Sequence, residues 1–137
     1  MPVTERQAEL IRAGFAQLRQ RLEPASVEFY EALFRRRPDL RGMFREDLAG
    51  QGMKFMTTLD TVVQSLDAPE ALTEPMKVLG HTHAQLGVKA EHFAPMAEAL
   101  IEVLRSNLGG EFTAEAEAAW RTAYDDLARM LIAGGID

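Results

Sequence analysis

Apolar residues recur along this chain every three or four positions, the period of helices that each bury one face. No stretch alternates apolar and polar residues long enough to be a strand. The first run covers 4–22, with Leu10, Ile11, Phe15, Leu18 and Leu22 inward, and Thr4 with Gln7 has the spacing of a capping box. Pro24 suits the first turn of a second helix, reaching about residue 36 and presenting Val27, Tyr30, Leu33 and Phe34. A short turn over 38–44 and a polar stretch over 45–50 lead to a helix at 51–66 with Phe55, Leu59, Val62 and Val63 on one side. Residues 67–69 break it. Thr73 and Pro75 then read as the cap and first turn of an element carrying Met76, Leu79 and His83 and stopping at Gly87. Helices are also predicted over 91–107, ended by Gly109-Gly110, and from a Thr113 cap to 132, ended by Gly134-Gly135. The expectation is an all-α domain spanning 1–137, with about seven helices around one core.

Composition narrows the function classes. The 137 residues are 47% hydrophobic and 26% charged, the mix of a folded single domain. A formal charge of -6 opposes nucleic-acid binding. There is no cysteine, so disulfides, thiolate metal sites, Cys nucleophiles and covalent haem attachment are excluded. No apolar run approaches the length of a membrane span, and 1–6 lacks the apolar core of a secretory signal. The expected location is the cytoplasm. Nucleotide-loop and hydrolase motifs are missing, and the carboxylates are scattered over polar faces.

Candidate chemistry rests on a few side chains. His81 and His83 lie two apart, so on a helix they point in different directions. His83 shares the apolar face of Leu79, His81 falls on the wetter side, and His92 opens the next helix. On spacing alone, His83 is either a metal ligand or a core histidine with a satisfied hydrogen bond. Tyr30 supplies packing area or a functional hydroxyl, and Gln51 is a surface cap or a site residue beside Gly52. The run Arg35-Arg36-Arg37 with Arg41 and Arg45 grips an anion or solvates a helix end.

Six segments in order decide between these readings. Phe29-Tyr30-Glu31-Ala32-Leu33-Phe34 with Pro38, Leu40 and Phe44 is similar to the FYxxLF…PxLxxxF segment of the globins. Gln51-Gly52-Met53-Lys54-Phe55-Met56 resembles the start of their distal helix. Leu79-Gly80-His81-Thr82-His83, Gly87-Val88-Lys89 and His92-Phe93 resemble the LGxxH…GVxxxHF signature. Leu108-Gly109, Phe112-Thr113 and Ala119-Trp120 with Tyr124 complete the match. The resemblance, from about residue 9 to 132, is to the single-domain bacterial globins, the heads of flavohaemoglobins and neuroglobin.

That resemblance implies a 3-over-3 arrangement of seven to eight helices around a b-type haem. His83 matches the proximal iron ligand. Gln51 and Tyr30 match distal residues facing the gas ligand, and Phe44 matches the phenylalanine packed on the porphyrin. Phe55 matches the distal wall, Lys54 a partner of a haem propionate, and Leu79, Val88 and Phe93 the proximal wall. A phenol and an amide acting together in an apolar pocket imply tight O2 binding and slow release, and glutamine, a poor iron ligand, implies a five-coordinate ferrous iron.

The resemblance also has departures. Phe93 stands where flavohaemoglobins carry a tyrosine, and their proximal glutamate falls at about Gly135, which argues against strong oxidative chemistry. No reductase follows residue 137, so any turnover calls for an external one. The leading expectation is reversible binding of O2, CO and NO for storage, delivery or scavenging, in a monomer or weak homodimer. NO dioxygenation with an external reductase is the alternative, and a haem-free sensor or interaction module comes third.

Overall fold

The computed structural model describes residues 3–43, 48–85 and 87–136, and for 48–52 the backbone alone. Six α-helices run along these residues, with no strand among them. They are α1 (Glu5–Leu18), α2 (Leu22–Arg36), α3 (Leu48–Gln64), α4 (Thr73–Gln85), α5 (Phe93–Leu108) and α6 (Ala114–Ala133). The sequence predicts about seven helices. The difference is Pro38–Met43, which forms a tight 3-10 segment because a six-residue stretch leaves little room for i→i+4 bonds.

Local signals set most boundaries. Thr4 Oγ1 accepts from the Gln7 amide at 3.1 Å while Gln7 Oε1 accepts from the Thr4 amide at 2.9 Å, completing the expected capping box. Thr113 Oγ1 caps α6 through the Ala116 amide at 3.1 Å. Gly87, at φ 93, takes the left-handed conformation that follows α4. Several expectations need correction. α1 ends at Leu18, ahead of the expected residue 22, with a 3-10 turn Arg19–Arg21 before α2, and Thr73 is the first helical residue of α4 rather than its cap. α3 begins at Leu48, so the polar stretch is helical over its last three residues. Val27 is 46% exposed, because α2 buries Ala25, Ser26, Phe29, Tyr30, Ala32 and Leu33 and Val27 falls outside that arc.

The helices form two layers of three. α1, α3 and α4 lie over α2, α5 and α6: α3 crosses α2, α4 lies on α6, and α1 rests on α5 and α6. The larger core cluster includes Phe15, Phe29, Leu33, Met56, Leu100 and Leu104, all fully buried. Each large apolar side chain so buried contributes about 1.5–3 kcal/mol. A second cluster joins Val62, Leu72, Met76, Leu127, Leu131 and Ile136 under α4. Phe93 packs against both clusters, and the space between them is where the candidate site opens.

Candidate functional site

A cavity of about 350 Å³ is enclosed by five of the helices. Its size lies in the range of cofactor sites, and its walls are mostly apolar. Tyr30 enters from α2, Lys54, Phe55 and Thr58 from α3, and Leu79 and His83 from α4. Val88 comes from the turn after α4, Phe93 and Met96 from α5, and Tyr124, Leu127, Ala128 and Leu131 from α6. Ile136, beyond α6, closes the ring of contacts.

His83 is the imidazole in this cavity. Its Nδ1 lies 2.8 Å from the carbonyl oxygen of Leu79, one turn earlier on α4. A carbonyl only accepts, so Nδ1 carries the proton, and in the neutral ring Nε2 keeps its lone pair. The bond also ties the plane of the ring to the helix backbone, as second partners of ligating histidines do. His81 is exposed, as its register predicts. His92 is buried, with Nδ1 accepting from the Lys89 amide at 3.0 Å, and it is not part of the cavity wall.

Tyr30 is only 5% exposed and is held in a run of rings. It stacks on Phe34 at 5.6 Å and tilts against Phe29 at 5.3 Å, and Phe29 stacks on Phe55 at 4.3 Å. Burial pushes the Tyr30 phenol up to about 12, so its hydroxyl stays protonated, and able to donate, at neutral pH. Tyr124 sits edge-on to Phe93 at 6.5 Å. Its phenol is also shifted upward, by burial first and by the Asp125 carboxylate second. Lys54 is exposed at the rim, a cation at the mouth of an apolar space.

Seven of the residues singled out in the sequence thus meet in one place: Tyr30, Lys54, Phe55, Leu79, His83, Val88 and Phe93. Phe44 lies outside the described residues, and Gln51 is described only as backbone within α3. Sequence reasoning missed Thr58, Met96, Leu127, Ala128, Leu131 and Ile136, and gave Tyr124 no role at the site. Helical spacing carries most of these: Met96 follows Phe93 by three, and Leu127 and Leu131 follow Tyr124 by three and seven. Nothing in the local pattern marks Ile136.

The donor set limits what the cavity can hold. No cluster of three or more histidines, cysteines or carboxylates suited to a metal occurs among the described residues. One imidazole in apolar walls with a cation at the rim fits a metal that arrives in its own nitrogen ring, with acidic groups left at the surface. Three-over-three helices closing on such a cavity are the architecture of a haem protein. The comparisons give the family.

The globin family model matches residues 27–131. A flavohemoprotein of Bordetella pertussis is 30% identical over 126 residues, which are 90% of this chain and 31% of that protein. Leghemoglobin 3 of Sesbania rostrata is 29% identical over 143 residues, 96% of this chain and 97% of that protein. Among solved structures, an engineered carbene transferase derived from a proposed nitric oxide dioxygenase of Rhodothermus marinus superposes with a TM-score of 0.84 at 30% identity. It covers 94% of this chain and 90% of its own. The chain belongs to the globin family and binds haem. It spans 31% of the length of the Bordetella flavohemoprotein. Among the described residues, no helix is long and apolar enough to cross a membrane.

Proposed function

We propose that this globin binds O2 and other diatomic gases reversibly on a b-type haem held through His83. The supporting observation is the single cavity imidazole, with Nδ1 committed to Leu79 and Nε2 left with its lone pair. Haem, when bound, would supply a ferrous iron able to bind a diatomic gas reversibly, and His83 Nε2 is the residue atom that would hold it. Leu79, Val88 and Phe93 wall the proximal region and exclude water, while Phe55, braced by Phe29, fills the distal side. Lys54, exposed at the rim, would pair with the acidic tails of the ring. Tyr30, its ring held in place by Phe29 and Phe34, would donate a hydrogen bond to the gas ligand.

By its register alone, Gln51 is the residue we propose as the second donor beside Tyr30. It precedes Lys54, Phe55 and Thr58 by three, four and seven residues on α3, the register of the cavity-lining stripe. A second reading, oxidation of nitric oxide to nitrate by O2 with one electron per turnover from a separate reductase, is favoured by the 30% identity to the Rhodothermus protein. The same two donors serve it.

Repeated O2 and argon cycles on the reduced, haem-loaded protein decide between the two. The proposal predicts a spectrum that alternates between two forms with little loss to the ferric state. Rapid, stoichiometric nitrate formation from NO, sustained by a reductase over many turnovers, would instead make the second reading the primary one.

A further inference from the structure

α4 and α6 touch backbone to backbone at two points, and each point needs a glycine. Gly80 of α4 is buried where a Cβ would collide with the carbonyl of Leu131 and come within 3.0 Å of its Cα. Gly134, ending α6, is placed so that a Cβ would collide with the carbonyl of Lys77 and come within 2.8 Å of its Cα. The obstacles are backbone atoms, which cannot rotate away as a side chain can. The contacts are reciprocal: positions 77 and 80 on one helix meet 134 and 131 on the other. A pair of contacts one turn apart fixes both the separation of the helices and their register.

His83 follows Gly80 by three residues on the same helix. Because Nδ1 is bonded to Leu79 O, the ring moves with the α4 backbone, and a displacement of α4 carries Nε2 with it. The chain beyond Gly134 adds a second element. Gly135 has φ 130, a conformation L side chains rarely adopt, and its own Cβ position lies 4.0 Å from His81 Cα. That turn brings Ile136, 3% exposed, back under α4 and into the wall of the cavity that His83 lines.

We propose that Gly80, Gly134 and the Gly135–Ile136 turn form a lock between α4 and α6 that positions His83. Gly80 and Gly134 set the height of the imidazole in the cavity, and Ile136 keeps the space beside it apolar. They are positioning residues, acting through His83. The role assigned to His83 rests on the haem reading above, but the lock itself is a property of the polypeptide.

The test uses Gly80→Ala, Gly134→Ala and Ile136→Ala, with Gly110→Ala as the control, since a Cβ at Gly110 meets nothing within 4 Å. In the haem-loaded ferrous proteins, the iron–histidine stretching band in the resonance Raman spectrum should shift in Gly80→Ala and Gly134→Ala. CO association should change severalfold with it, and Gly110→Ala should match wild type in both. In the apoproteins, NMR contacts across the helix pair, between 77–80 and 131–134, should be strong in wild type and weakened or shifted in Gly80→Ala and Gly134→Ala, while the His83–Leu79 bond, internal to α4, persists. That second readout needs no haem, so it separates failure of the lock from failure of the haem reading. Should Gly80→Ala not fold, Gly134→Ala and Ile136→Ala carry the same comparison. Glycine variants that lose thermal stability yet keep the wild-type Raman band and the wild-type contacts between α4 and α6 would overturn the proposal.

Discussion

His83→Ala leaves a folded chain that no longer retains haem. The side chain is partly buried, and its one hydrogen bond is to the backbone of its own helix, so truncation removes little packing. What it removes is the cavity's imidazole, for neither His81 nor His92 lines that space. Losing a mere supporting partner of a metal ligand costs about 10–100-fold in affinity, so losing the ligand should cost more. Transfer of haem to an acceptor apoprotein should therefore speed up by more than about 100-fold. Free imidazole should restore the Soret band, since the cavity left behind admits it. An unchanged Soret band and transfer rate in His83→Ala would place the ligand elsewhere.

Tyr30→Phe should release O2 faster by about 10- to 100-fold, because a hydrogen bond to a charged partner contributes about 1.5–3 kcal/mol. The ring remains, so the contacts with Phe34 and Phe29 survive and binding of CO, a poor acceptor, should change little. Stopped-flow displacement of O2 by CO reads both rates. The same variant carries a pH signature. The folded phenol is raised to about 12 from an ordinary value of 10.0, so its contribution to stability is fully present below pH 10 and lost as pH climbs towards 12. Alkaline destabilisation in that window should be smaller in Tyr30→Phe than in wild type. Equal O2 release from the two proteins would remove Tyr30 from the ligand's surroundings.

The sequence carries the fold where its signals are local. Thr4 with Gln7, Thr113, Gly87 and Gly109 mark helix ends through hydrogen bonds and backbone conformations that depend on nearby residues. It falls short where tertiary packing decides. The inner face of α2 is chosen by α3 and α5 together, which leaves Val27 exposed despite its helical spacing from Tyr30. Periodicity starts α3 at about residue 51, three residues late, because 48–50 adds too few apolar positions to extend the stripe, although Asp47 offers a residue type favoured at helix starts.

The site follows the same division. His83 and Tyr30 stand in motifs, and Phe55 and Leu79 share their helical stripes with other wall residues, so they are readable one segment at a time. Ile136 is not. It follows Gly134-Gly135, a pair that reads as a stop, and only the turn at Gly135 over α4 returns it to the cavity.

The central claim is that His83 alone holds a haem whose other side is open to gas. Absorption spectra of the purified, haem-loaded protein in the ferric, ferrous and ferrous-plus-CO states test it most directly. A ferrous spectrum of the five-coordinate type, with a Soret band that sharpens and shifts on adding CO, is the predicted result. A six-coordinate ferrous spectrum would show a second protein ligand on the iron and contradict the open side. The absence of a stoichiometric Soret band would contradict the haem site itself.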